Sequence, residues 1–133
     1  SISLQLNNLF SVDKPFSSNR KEEKKHGDSG SLIGSPLSGE GLIVDDVISS
    51  GSSIEESINI IKKNNAKPIS VLVALDRMEL GKKSRAAFEL ESDNNISVHS
   101  IINIEDVVVY LKKNESGNDN IQRMEEYLDQ FKR

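Results

Sequence analysis

Residues 41–53 read G-L-I-V-D-D-V-I-S-S-G-S-S. An apolar run ends in two adjacent carboxylates, and small hydroxylated residues around one glycine follow. Gly41 to Asp45 reads as a buried strand, because an unbroken apolar run implies cover on both faces. Ser53-Ile54-Glu55-Glu56 has the S-x-x-E form of a capping box, and Ile54, Ile58 and Ile61 follow on one helical face. Strand, small-residue turn and helix in this order decide for an α/β fold.

The same alternation continues downstream. Val71 to Leu75 is a second apolar run, closed by Asp76 and Arg77. Ser84 to Asn94 reads as a helix and Ile96 to Ile102 as a third strand. Asn103 is placed to cap a helix carrying Val107, Val108, Tyr110 and Leu111. Residues 116–120 read as a linker. A final amphipathic helix within 118–133 turns Ile121, Met124, Leu128 and Phe131 toward the core. Upstream, Ile2, Leu4, Leu6, Leu9 and Phe10 fit the end of a helix entering the core, although the first six residues also permit a strand. Pro15 stops that element, Phe16 to Asn19 is a short strand, and residues 20–36 form a long polar loop of the kind that often serves as a lid. Strands alternating with helices imply a mostly parallel sheet flanked by helices. Ligands of such sheets bind beyond the carboxyl ends of the strands, where both acid sites fall.

Composition narrows the class. The 133 residues suit one domain, and the chain is 35% hydrophobic and 29% charged with no cysteine. Disulfides and thiolate metal sites are thereby excluded, and a reducing compartment such as the cytoplasm fits. A net charge of −4 argues against non-specific nucleic-acid binding. No apolar run approaches the roughly 20 residues that span a bilayer, and the first ten residues lack the pattern of a signal peptide. The chain opens with Ser1 inside an apolar pattern, which suggests a fragment.

Val47, Ile48, Ser49, Ser50, Gly51, Ser52 and Ser53 form a candidate anion cradle. Small side chains let backbone N–H groups approach closely, Gly51 supplies positive φ, and the following helix aims its free N–H groups and positive dipole end at the loop. The P-loop pattern is absent. Asp45 and Asp46 would repel a phosphate, so they face sugar hydroxyls, a Mg²⁺ shell or a developing cation. A sugar phosphate satisfies both halves of the site. A phosphoacceptor receiver domain also closes a strand with an acid pair, but it would leave the serine cradle unexplained.

Leu42 to Ser53, L-I-V-D-D-V-I-S-S-G-S-S, resembles the phosphoribosyl diphosphate (PRPP) signature of type I phosphoribosyltransferases, with serines in place of both threonines. Arg20 to Gly27, R-K-E-E-K-K-H-G, resembles the mobile catalytic loop of the orotate phosphoribosyltransferases. That loop carries four cations against two carboxylates. The segments D-S-G-S-L-I-G-S-P-L-S-G (28–39) and V-A-L-D-R-M-E-L-G (73–81) fit the same family in order, and D-R-M-E-L-G points to orotate rather than purines.

The resemblance implies a type I phosphoribosyltransferase fold truncated at its N-terminus, with residues 20–36 as catalytic loop, 41–53 as PRPP signature and 118–133 as C-terminal helix. It implies transfer of ribose 5-phosphate from PRPP to orotate with Mg²⁺ carried by PRPP, in a homodimer whose loop reaches the neighbouring subunit. Asp45 and Asp46 would hold the ribose hydroxyls, and Ser49 to Ser53 the 5-phosphate. Arg20, Lys21, Lys24 and His26 would contact the diphosphate, and Ser49 and Arg77 the orotate. Lys24 is the first choice for the leaving group, and His26 is a proton or hydrogen-bond donor. His99, mid-strand, reads as structural. Two other readings stand beside this one: a PRPP-binding regulatory module without catalysis, and a purine phosphoribosyltransferase. Lack of the N-terminal portion also predicts an exposed sheet edge, an apolar face and poor stability in isolation.

Overall fold

The computed structural model describes residues 2–19, 32–114 and 119–130. Arg20, Lys21, Lys24 and His26, and with them most of the expected catalytic loop, lie outside the described residues, as do residues 115–118 and Phe131. The chain divides into two compact units, Ser1–Ser38 and Gly39–Arg133.

In the first unit, α1 (Ile2–Phe10) is a helix, as its apolar spacing allows, but none of its residues is buried. β1 (Ser17–Asn19) pairs antiparallel with β2 (Leu32–Gly34), with Ser17 opposite Gly34. The second strand is a correction, since 20–36 was expected to be loop throughout. Gly34 makes the pairing possible. Its φ is +111°, and a Cβ there would come within 2.3 Å of the Phe16 carbonyl oxygen.

The second unit is built on a parallel sheet with strand order β3-β4-β5, formed by β3 (Glu40–Ile48), β4 (Lys67–Asp76) and β5 (Ser97–Asn103). Four helices complete it: α2 (Ser52–Lys63), α3 (Ala86–Asn94), α4 (Ile104–Asn114) and α5 (Asp119–Asp129). α2 packs on β3 and β4, α3 and α4 on β5, and α5 on α4. The expected α/β architecture is present.

The apolar pattern of α2 does what its spacing demands, because Ile54, Ile58 and Ile61 are all buried. They meet a sheet face on which Ile43 and Val71 lie side by side and Val73 follows, all three buried. A second cluster forms between α4 and α5 from Val108, Ile121 and Leu128, with Met124 packed against it.

The expectation of a strand covered on both faces is corrected. Leu42 and Val44 are 54% and 44% exposed, and Ile101 on β5 is 73% exposed. These residues alternate with the covered set, so the sheet buries one face and presents the other. β3 is paired along one edge only among the described residues.

Candidate active site at the strand ends

The strand register sets the frame of the site. Ile48 at the end of β3 lies beside Asp76 at the end of β4, and Asp76 lies beside Asn103 at the end of β5. All three strand-to-helix turns therefore open along one rim. The Arg77 N–H donates to the Ile48 carbonyl at 3.1 Å, which ties the second turn to the first.

The first turn is the small-residue loop. Gly51 is buried and left-handed, with φ 82° and ψ −1°, and it caps α2 without any side-chain hydrogen bond. The Glu55 N–H donates to the Gly51 carbonyl at 2.9 Å as the first helical bond. The N–H groups of Ser52, Ser53 and Ile54 precede the ladder and lack an intrahelical acceptor. With Val47, Ile48, Ser49 and Gly51 these residues line a small open cup. The Ser50 and Ser52 hydroxyls lie 3.2 Å apart at its rim. Ser53 is not the N-cap, which corrects the capping-box expectation. The αL turn at Gly51 starts the helix earlier, so Ser53 sits in its first turn and its carbonyl accepts from the Ser57 hydroxyl at 3.0 Å. The helix thus begins without using a serine hydroxyl on its own amides. Hydroxyls and orphan N–H groups both remain for an anion.

Asp45 and Asp46 stand within β3, just before the cup. Each is fixed through Oδ1 by the next backbone amide: the Asp46 N–H donates to Asp45 at 2.9 Å and the Val47 N–H to Asp46 at 2.8 Å. No described cation forms an ion pair with either carboxylate. Two negative groups beside a cup of donors suit a ligand that is anionic at one end and hydroxylated or cationic in the middle. Among the described residues no cluster of three metal-ligating side chains occurs.

The second turn holds Arg77. Asp76 does not pair with it; its Oδ1 accepts the Met78 N–H at 2.7 Å. Met78 is buried at φ 56°, and this bend turns residues 77 and 79 to the same side. Arg77 Nη2 meets Glu79 Oε1 at 2.7 Å. Tyr127 of α5 donates its hydroxyl proton to the same Glu79 oxygen at 2.5 Å, and Arg77 Nη2 lies 3.4 Å from the Tyr127 oxygen. Burial first, and the Glu79 carboxylate second, push the Tyr127 phenol above its ordinary pKa. The rest of the turn is clasped by Glu89, which accepts the backbone N–H groups of Lys82 at 2.8 Å, Lys83, and Ser84 at 2.5 Å. Those amides hold the Glu89 carboxyl below its ordinary pKa.

Of the residues singled out in the sequence, the cradle, the acid pair and Arg77 lie along this one rim. Sequence reasoning missed Tyr127, whose only signal was its position next to Leu128 on the buried edge of the last helix. His99 is exposed on β5 and pairs with Leu72 in the sheet register.

The model of the phosphoribosyl transferase domain matches residues 3–109. This chain belongs to that family. The phosphoribosyl transferase match runs from α1 into α4 and includes the cup, the acid pair and the Arg77 turn. Similar proteins include the orotate phosphoribosyltransferase of Actinobacillus pleuropneumoniae serotype 5b (strain L20), 44% identical over 131 residues, covering 98% of this chain and 62% of that protein. The orotate phosphoribosyltransferase of Marinobacter nauticus is 46% identical over 119 residues, covering 89% of this chain and 56% of its own. Among solved structures, the orotate phosphoribosyltransferase of Francisella tularensis superposes with a TM-score of 0.76 at 30% identity, covering 97% of this chain and 61% of that one. The phosphoribosyl transferase chain described here thus spans about 62% of the length of the first of these relatives.

Proposed function

We propose that this chain serves an orotate phosphoribosyltransferase, which transfers ribose 5-phosphate from PRPP to N1 of orotate, releases diphosphate and forms orotidine 5′-monophosphate for pyrimidine nucleotide synthesis. The observation that carries the reading is the cup of orphan N–H groups at Ser52 to Ile54, with Asp45 and Asp46 beside it and Arg77 tied to the same strand end. Similarity to proteins named orotate phosphoribosyltransferase supports the choice of base.

Each residue then has a physical task. The 5-phosphate lies in the cup, held by backbone amides and by the hydroxyls of Ser49, Ser50, Ser52 and Ser53. As the C1′–O bond to diphosphate breaks, positive charge grows on the ribose and negative charge on the leaving group. Asp45 and Asp46 stabilise the first and bind the ribose hydroxyls. Arg20, Lys21, Lys24 and His26 stabilise the second. A pair of unit charges at about 4 Å contributes roughly 4 kcal/mol at an effective dielectric near 20, so a few such contacts account for a large share of the barrier. N1 of orotate forms the new bond to C1′ and gives up its proton, and the departing diphosphate oxygens, for which Lys24 and His26 are the assigned partners, are its acceptor sites. Arg77 and Ser49 hold the base.

Mg²⁺ would arrive with PRPP. Asp45 and Asp46, which have no ion-pair partner among the described residues, offer hard carboxylate oxygens of the kind that share Mg²⁺ with substrate phosphates. A homodimer with the loop at 20–36 shared between subunits, in the cytoplasm, completes the reading. No described helix is long and apolar enough to cross a membrane.

The test is turnover by the full-length protein with PRPP, Mg²⁺ and either orotate or free purines, with and without Lys24→Ala. Orotidine 5′-monophosphate is expected from orotate alone, with kcat falling at least about 100-fold in K24A while the KM for PRPP stays within about twofold. Turnover of purines instead, or PRPP binding without product, would replace the reading by one of its two alternatives.

A further inference from the structure

Arg77 is the cation assigned to the base, and its surroundings carry more than that assignment. The guanidinium is 47% exposed at its side chain, whereas its partner Glu79 is only 19% exposed. Glu79 is therefore the fixed member of the pair and Arg77 the presented one. What fixes Glu79 is Tyr127, which donates to the same Oε1 that Arg77 contacts. The three polar groups close a triangle with sides of 2.5, 2.7 and 3.4 Å. Tyr127 is brought there by α5, whose Ile121 and Leu128 are buried in the cluster with Val108 of α4. The last helix of the chain thus reaches a residue 50 positions earlier.

An arginine on an exposed turn has many rotamers, and binding a planar carboxylate needs one of them. A carboxylate partner alone does not select it, because Glu79 also has freedom to move. A second donor on that carboxylate removes the freedom of Glu79 and with it much of the freedom of Arg77. Burial and the Glu79 charge keep the phenol protonated, so it acts as donor throughout the neutral range.

We propose that Tyr127 and Glu79 are positioning residues for the base, orienting Arg77 toward a carboxylated planar ring, and that α5 is in this way part of the nucleobase end of the site. The inference rests on the assignment of Arg77 to orotate made above. It predicts a selective effect: losing the phenol hydroxyl weakens base binding and leaves PRPP binding alone, since the cup and the acid pair lie on other elements.

The experiment is steady-state kinetics on the full-length protein carrying Tyr127→Phe, Arg77→Ala and both together. In Y127F the KM for orotate is expected to rise about fivefold with the KM for PRPP within about twofold. In the R77A background Y127F is expected to add nothing, because Tyr127 acts through Arg77. A Y127F enzyme with an unchanged orotate KM overturns the proposal, and so does one in which both KM values rise together or in which the effects of R77A and Y127F simply multiply. If R77A itself leaves the orotate KM unchanged, the base assignment of Arg77 fails and this inference falls with it. If R77A weakens orotate and Y127F does not, only the positioning role is lost.

Discussion

Gly51 and Leu90 are in contact across the start of the anion cup: a Cβ added to Gly51 would lie 3.2 Å from Leu90 Cδ1 and 3.6 Å from Ala86 Cβ. The glycine is needed twice, for its φ of +82° and for this approach of α3. Gly51→Ala is expected to destabilise the protein by about 1–2 kcal/mol from the left-handed conformation alone. It should also weaken PRPP binding, because the cup amides follow directly. Chemical denaturation and PRPP titration of G51A against wild type check both, and an unchanged midpoint would show that the turn is not strained by a side chain.

Glu89 makes stability depend on acid. Its folded pKa is depressed by the Lys82, Ser84 and Lys83 amides. The stabilisation is therefore complete above the ordinary pKa of an unfolded glutamate, about 4.3, and is lost as pH falls through the lower folded value. Glu89→Gln is expected to lower Tm at pH 7 and to make a smaller difference at pH 3. Melting curves at both pH values decide it, and an equal Tm difference at the two pH values would remove the charge from the account.

Asn103 and Asp106 form a reciprocal cap at the start of α4. The Asp106 N–H donates to Asn103 Oδ1 at 3.0 Å and the Asn103 N–H to Asp106 Oδ2 at 2.9 Å. Asn103→Ala is expected to cost about 1 kcal/mol, or roughly a 4 °C fall in Tm for a domain of this size. Calorimetry of N103A within about 1 °C of wild type would mean that the α4–α5 cluster alone holds the helix.

The uncovered sheet face predicts self-association. Leu42 and Val44 on β3 and Ile101 on β5 share the exposed sheet face, and β3 is paired along one edge only among the described residues; such faces drive aggregation when nothing covers them. Residues 1–133 expressed alone are expected to scatter light at micromolar concentration, and Leu42→Lys with Ile101→Lys to reduce that scattering. A soluble monomer with a sharp melting transition would refute the expectation.

These features differ in how far the sequence reveals them. α2 follows from Ile54, Ile58 and Ile61 because a 3.6-residue period has one structural solution. The cap at Asn103 follows from residue type and place. The strand at Leu32–Gly34 did not, because two apolar residues and a glycine carry no period, and what marks it is the close approach of Gly34 to Phe16. Nor did the bare face of β3: an apolar run tells which residues need cover, not what supplies it. At the site, the serines marked the cup, but the S-x-x-E pattern gave the wrong first residue for the helix, since a left-handed glycine can start a helix before any side-chain cap. Arg77 was visible and its partner was not. The bend at Met78 hands Arg77 to Glu79 and, through it, to a tyrosine 50 residues away.

The strand order β3-β4-β5 follows the chain, and this bears on synthesis at the ribosome. Among the described strands of this sheet, β4 docks beside β3 and β5 beside β4. Each parallel pairing needs a crossover through a helix, so β4 can dock only after α2 has emerged and β5 only after α3. The cup lies between the consecutive elements β3 and α2 and can form early, while the brace from Tyr127 waits for α5 to clear the exit tunnel. Translation that stops short of α5 would release a chain with its anion cup in place and its arginine unsteadied.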